Sequence, residues 1–526
     1  MNQTSPESGL SISPSRRVMA RLPRRVLGLP LAFLLFGCAL QDGYASRDYD
    51  VERASRIFRT GYQDVVDVYI EDFRAPELAL AGLDGLSNLD PAVSVFYGDH
   101  LVTLKIEGEA TGRFDAPHPD DTDGWGRLTA NVIEEFRHGS EPLGVAEPEA
   151  VYKAVFSGMI TELDSFSRYA GRERARENRA SRDGFGGIGV RIRVVDEGVK
   201  VLSVMEDTPA EAAGLEDQDL ITEINGQSAV GLSQDQVVQR LRGPVRTTVL
   251  LTVARPSVPA RLTFSLTRAH IVPQTVSYRA EGNIGYLRVS GFNQSTAQTL
   301  REKILEARRQ QGKNLEGFIL DLRGNPGGLL DQAVSVSDLF IAHGRIVSTH
   351  GRHPDSHQFF DARKDDLATG LPLAILVNGN SASASEIVAA ALQDAGRGVL
   401  IGSNSFGKGT VQTVLRLPNE GELTLTWARF HAPSGYALQD RGVLPDICTS
   451  GESSDATGLL ERVRRGDLRV DRAARSRSIA MDDQAGLSAL RAQCPVSENN
   501  PEIDLQVALG LLGDVTLYAQ ALAPPA

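Results

Sequence analysis

Between residues 273 and 450, strand-length apolar runs alternate with helical patterns, and this alternation constrains the fold more than any other feature of the chain. Residues 284–289, 317–322, 373–377 and 399–401 have the length and apolar character of strands. Helical stretches run over 295–311, 329–340 and 383–395, and 411–417 and 422–427 add further strands. The order predicts an α/β layer arrangement in which the informative loops lie at strand ends.

At 526 residues the chain exceeds a single hydrophobic core, so three or four folded parts are expected. Residues 39–182 read as mainly helical, with a polar break at 118–124. Residues 183–272 change character. Two β-rich runs, 188–194 and 199–204, flank the hairpin signal Asp196-Glu197-Gly198. A short helix at 209–213 precedes a strand at 220–224 closed by Asn225-Gly226, a strong tight-turn dipeptide. Ser233-Gln234-Asp235-Gln236 is a capping box opening a helix, and 247–253 is the last strand of this part. The tail, 451–526, reads as little structured before an apolar helical run at 504–512. A net charge of −12 argues against a nucleic-acid partner, which favours a basic footprint.

The N-terminus has the pattern of an export signal. Five arginines between Arg16 and Arg25 precede an apolar run at 26–36, about half the length of a membrane-spanning helix. It ends in Leu35-Phe36-Gly37-Cys38, which resembles the lipobox of bacterial lipoproteins, with Cys38 as the lipidated residue and a membrane anchor as the consequence. Phe36 departs from the small or β-branched residue usual there. Cys448 and Cys494 then remain, either as a disulfide or as two free thiols.

Three segments point to chemistry. Asn378-Gly-Asn-Ser-Ala-Ser383-Ala-Ser-Glu386-Ile joins an apolar strand to a helix. A hydroxyl there sits on a tight turn beside the unpaired N–H groups and positive end of the helix, which favours attack on a carbonyl. The plain alternative is a serine N-cap. Gly402-Ser-Asn-Ser-Phe-Gly-Lys408 fits the first seven positions of a phosphate-binding P-loop, but Gly409 stands where Ser or Thr would hold magnesium. The strand pattern that follows, where such a loop needs a helix, also argues against nucleotide. Lys408 can instead act as a base if burial disfavours its ammonium form, with Gln412 on the same face of an extended segment to orient it. Leu320-Asp-Leu-Arg-Gly-Asn-Pro-Gly327-Gly328 leaves a strand through a glycine-rich loop. Its N–H groups, with that of Ala384, can form an oxyanion hole. His343, His350, His353 and His357 lack a helical metal-ligand spacing and read as an exposed loop. Asp394 could complete a conventional triad only with such a histidine.

Together, Asp-Leu-Arg-Gly-Asn-Pro-Gly-Gly at 321–328, Ser-Ala-Ser-Ala-Ser-Glu-Ile at 381–387 and Phe-Gly-Lys-Gly-Thr-Val-Gln at 406–412 resemble the carboxyl-terminal processing proteases of the S41 type. Leu163-Asp-Ser-Phe-Ser-Arg-Tyr169 and Gly442-Val-Leu-Pro-Asp446 also fit. Gly324 stands where Asn is more usual. Residues 183–272, opening on Gly187-Ile188-Gly189-Val190, are similar to a PDZ domain, in which a glycine-rich turn takes a peptide's terminal carboxylate.

The resemblance implies a multidomain α/β protein. Its protease core is crotonase-like (273–450), with an inserted PDZ domain and a mainly helical N-terminal region. Ser383 would be the nucleophile, Lys408 the base and Gln412 its orienter, with Gly328 or Gly327 and Ala384 donating to the oxyanion. No metal or other cofactor is implied. The expected partners are proteins or peptides with free C-termini and an adaptor, and the expected place is the bacterial periplasm or cell envelope. The competing expectation is a catalytically inactive scaffold whose PDZ part binds protein C-termini.

Overall fold

The computed structural model describes residues 49–363, 366–450, 455–467, 479–496 and 501–522. The arginine cluster, the apolar run and Cys38 lie outside them.

The α/β region is built on a six-stranded sheet in the order Val276–Glu281, Ile284–Val289, Gly317–Asp321, Leu373–Val377, Val399–Gly402, Ile447–Cys448. The first pair is antiparallel and the others are parallel. Every residue of the two central strands is buried, as parallel strands covered on both faces require. Alternate side chains choose opposite layers. Leu287, Phe318, Leu320 and Ile375 meet Leu300, Val336 and Ile387 from the helices Thr296–Gln311, Leu330–Ser337 and Ala384–Asp394. Tyr286, Ile319, Leu376 and Ile401 meet Leu459, Val507, Leu511 and Leu517 from the C-terminal helices Ala456–Arg464, Pro501–Leu512 and Val515–Leu522. The tail is therefore the second covering layer of the sheet. Its sequence suggested loose structure, but a sheet with two apolar faces needs this cover.

A second sheet contains Gln358–Asp361, Arg345–His350, Glu422–His431 and Thr410–Arg416, and Arg168–Ala170 pairs onto the start of Glu422–His431. The N-terminal region is helical as expected, with Val51–Val68, Ala75–Asp84, Thr122–Gly139 and Pro148–Ile160 packed around Phe58, Tyr62, Trp125 and Phe156. It also holds an antiparallel meander, Val93–Gly98, Leu101–Ile106 and Glu109–Asp115, that the helical reading missed. Its turns place Asp99, His100 and Glu107 at positive φ, positions where Asn or Gly would have announced a hairpin.

The PDZ-like part is an antiparallel sheet in the order Val258–Thr267, Thr248–Arg255, Leu220–Ile224, Gly198–Val204, Val190–Val195. The helix Gln234–Leu241 opens with the capping box read from sequence. Val258–Thr267 was not foreseen and forms a hairpin with Thr248–Arg255. Phe185–Gly187 pairs antiparallel with Ala269–Ile271, so the two ends of this part lie side by side. Cys448 and Cys494 form a disulfide with Cα atoms 5.7 Å apart, which settles the alternative left open by the sequence.

Candidate active site

Ser383 ends the turn after Leu373–Val377 and stands at the N-cap of Ala384–Asp394, with φ 56° and ψ −115°. A non-glycine residue in the left-handed region is strained by about 1–3 kcal/mol and persists only where its surroundings over-determine it. Ser383 and Glu386 form a capping box at this helix start, but the positive φ departs from the extended backbone that an N-cap ordinarily has. Ser383 is 9% exposed.

Glu386, one turn into the helix, holds the strained turn in place. Its fully buried carboxylate receives four donors. Oε2 accepts the N–H of Ser383 at 2.7 Å and of Lys408 at 2.9 Å. Oε1 accepts Ser405 Oγ at 2.6 Å and the Gly407 N–H at 2.7 Å. Three of the donors are backbone N–H groups that cannot reverse, so both oxygens act as acceptors. One carboxylate oxygen thus ties the main chain of Ser383 to that of Lys408 across 25 residues of sequence. Burial pushes the Glu386 pKa up, and the bonds from Ser405, Gly407, Ser383 and Lys408 oppose it.

The Lys408 amine lies 5.0 Å from the centroid of the Phe166 ring. Burial, reinforced by the charge of Arg168, pushes its pKa down to about 8, against the opposing charges of Asp164 and Glu386. Phe166, Asp164 and Arg168 belong to the Leu163–Tyr169 string of the N-terminal region, which therefore supplies the surroundings of the Lys408 amine. Gln412 donates Nε2 to Thr410 Oγ1 at 2.8 Å and to Thr426 Oγ1 at 3.1 Å. Among the described residues it forms no hydrogen bond with the lysine amine.

The glycine loop lies against the serine turn. A Cβ on Gly327, whose φ is +102°, would stand 2.9 Å from Ser383 Cβ and 3.1 Å from Ala384 N, so only glycine permits this approach. The Gly327 N–H is occupied by Asn325 Oδ1 at 2.9 Å. Among the described residues the N–H groups of Gly328 and Ala384 have no partner, and Ala384 is at the first helical position, where the N–H is free of the helix ladder. Asn325 organises both loops. Its carbonyl accepts the Ala382 N–H at 3.0 Å and Ser385 Oγ at 2.8 Å, while its Nδ2 donates to Val289 O at 2.9 Å. The sequence reading missed the roles of Glu386, Asn325 and Phe166, although all three lie inside strings it had singled out.

Asp394 accepts the N–H and Oγ of Ser434 at 2.9 and 2.7 Å. The His350 ring lies 5.4 Å from His357 and 4.9 Å from His431 by centroid, and among the described residues no group of three or more His, Cys, Asp or Glu is arranged to hold a metal. In the PDZ-like part, Gly187 pairs with Ala269, Ile188 is buried in that part's core, and Val190 begins the edge strand. Gly189, at φ +84°, has no room for a Cβ against the Thr208 side chain.

An α/β core that brings a strained serine, a partly desolvated lysine and two unpaired N–H groups into one loop cluster, beside a peptide-binding type of module, defines a serine-type peptidase. Residues 283–449 match the model of Peptidase family S41, and 178–254 match that of the PDZ domain. The chain belongs to peptidase family S41. A "Carboxy-terminal-processing protease" of Bartonella bacilliformis is 42% identical over 319 residues, covering 60% of this chain and 73% of that one. A "Probable CtpA-like serine protease" of Staphylococcus aureus is 34% identical over 305 residues, covering 57% of this chain and 60% of that one. The match thus spans less than two thirds of the Staphylococcus protein. Among solved structures, the photosystem II D1 C-terminal processing protease is 24% identical with a TM-score of 0.38, covering 75% of this chain and 92% of that one.

Proposed function

We propose that this chain is a serine endopeptidase of the bacterial cell envelope that cleaves extended or unfolded proteins near their C-termini, with Ser383 as nucleophile and Lys408 as general base. The observation that carries this reading is the shared tether of Ser383 and Lys408 on Glu386, with the Lys408 pKa down to about 8. The neutral amine takes the Ser383 Oγ proton as Oγ bonds to the carbonyl carbon. The resulting oxyanion accepts from the N–H groups of Gly328 and Ala384. The Lys408 ammonium returns the proton to the departing amine, and water then releases the acyl group by the same route. Gln412, with Nε2 held by two threonines, leaves Oε1 to orient the lysine amine.

The names of the relatives support action at C-termini, and the turn at Gly187, Ile188 and Gly189 with the strand from Val190 is the proposed seat of the substrate's terminal carboxylate. The leader supports export, with Cys38 as lipid anchor and an adaptor delivering substrates in the envelope.

The test is cleavage of an unfolded model protein by the wild type beside Ser383→Ala and Lys408→Ala. Both variants lose cleavage while keeping the wild-type circular dichroism. Because the neutral amine is the working form, kcat/KM rises with pH, reaches half its plateau near the Lys408 pKa of about 8, and is level above it. Variants that cut at the wild-type rate would refute the mechanism. A folded wild type without activity in the presence of envelope extract would favour the binding scaffold.

A further inference from the structure

The strand Val190–Val195 ends its sheet, and among the described residues Gly198–Val204 is its only neighbour there. An unpaired edge of this kind is a template for another strand. Its two faces differ sharply. Val190, Ile192 and Val194 turn toward the core of the PDZ-like part, while Arg191 and Arg193 are exposed on the other side.

Arg193 stands directly opposite Lys200 on the neighbouring strand, and Arg191 opposite Ser203. Like charges placed opposite each other destabilise a sheet. Among the described residues no carboxylate forms an ion pair with Arg191, Arg193 or Lys200. The carboxylates of the same hairpin, Asp196 and Glu197, close its turn at the end away from the glycines. In a chain of net charge −12 this strand edge is an uncompensated cationic stripe.

A substrate tail added to this edge with its carboxylate at Gly187–Gly189 alternates its side chains. The last residue faces the apolar side, and the penultimate residue and the one two places before it face the arginines. We propose that Arg191 and Arg193 select substrate tails carrying Asp or Glu at those two outward positions. The proposal rests on the reading that this turn takes the substrate's C-terminus. An acidic tail supplies the missing counter-charge to Arg193 and Lys200, and opposite-charge pairs across strands are favourable.

The test uses the full chain carrying Ser383→Ala and fluorescein-labelled decapeptides of one sequence, ending in Ala. The two outward positions hold Glu, Ser or Lys, and fluorescence anisotropy reads the affinity. The Glu tail binds about fivefold more tightly than the Ser tail and the Lys tail more weakly still, with the spread narrowing at 0.5 M NaCl. Arg191→Glu with Arg193→Glu reverses the order. Equal binding of all three tails would overturn the selectivity while leaving C-terminal docking intact. If amidating the C-terminus leaves Kd unchanged, the docking reading itself fails and the proposal with it.

Discussion

Glu386 sits at the third helical position after Ser383, where an acidic side chain ordinarily forms half of a capping box. That local role hides a longer reach, since its carboxylate also collects Ser405, Gly407 and Lys408. Glu386→Gln would set an NH2 group against N–H donors that cannot turn away. We expect kcat to fall by about 100-fold, the scale of a misplaced reacting group, and unfolding by urea to report a loss of about 1–3 kcal/mol. A wild-type rate in this variant would show that the tether does not position the reaction. Ser383 and Lys408 were legible as candidates because a serine between strand and helix and a lysine between glycines are local patterns. Which of Gly327 and Gly328 keeps an open N–H was not, because Asn325 occupies that of Gly327, a contact that no spacing announces.

At the scale of elements, the C-terminal helix Pro501–Leu512 reaches the glycine loop through a buried ionic cluster. Arg323 binds Asp321 Oδ2 and Asp504 Oδ2, each at 2.9 Å, and donates to Pro501 O at 2.7 Å. Burial would raise Asp321, but the bonds and charge of Arg323 and the Tyr286 hydroxyl hold it below its ordinary value. Removing one partner strands a buried charge, so Asp504→Ala should lower stability by about 3–5 kcal/mol in urea titrations. The same variant should slow peptide cleavage, because Arg323 opens the loop that ends at Gly328. A loss below 1 kcal/mol would mean that Arg323 is adequately held by Asp321 alone. The core strands were readable from unbroken apolar runs. The meander at 93–115 and the strand Val258–Thr267 were missed, since their burial is partial and their turns lack the usual dipeptides.

At the scale of the whole molecule, the helix Arg172–Asp183 leads from the N-terminal region toward the PDZ-like part and is fastened to the second sheet by Glu422. Arg179 Nη1 and Arg182 Nη2 reach Glu422 Oε1 at 3.0 and 2.9 Å. Burial would raise this carboxyl, but the hydrogen bonds and charges of Arg182 and Arg179 outweigh it and hold its pKa below 4.5. A carboxyl depressed in the folded state contributes stability above its ordinary pKa and loses it as pH falls through the folded one. Thermal unfolding should therefore separate wild type from Glu422→Gln most widely above pH 4.5, with the gap closing in more acidic buffer. A gap unchanged across that range would assign the stabilisation to packing. The pairing was invisible in the sequence because Arg179 and Arg182 meet Glu422 only after some 240 intervening residues have folded.

The joined ends of the PDZ-like part bear on how the chain finds its fold. Once Phe185–Gly187 has zipped to Ala269–Ile271, everything between them is, to the surrounding layers, no more than the tip of a hairpin. The penalty for closing that excursion grows only with the logarithm of its length and is met at the zipper. The strands on either side can then find register without waiting for the module. A module of different size or taste could be grafted at the same two strands with the catalytic layers left as they are.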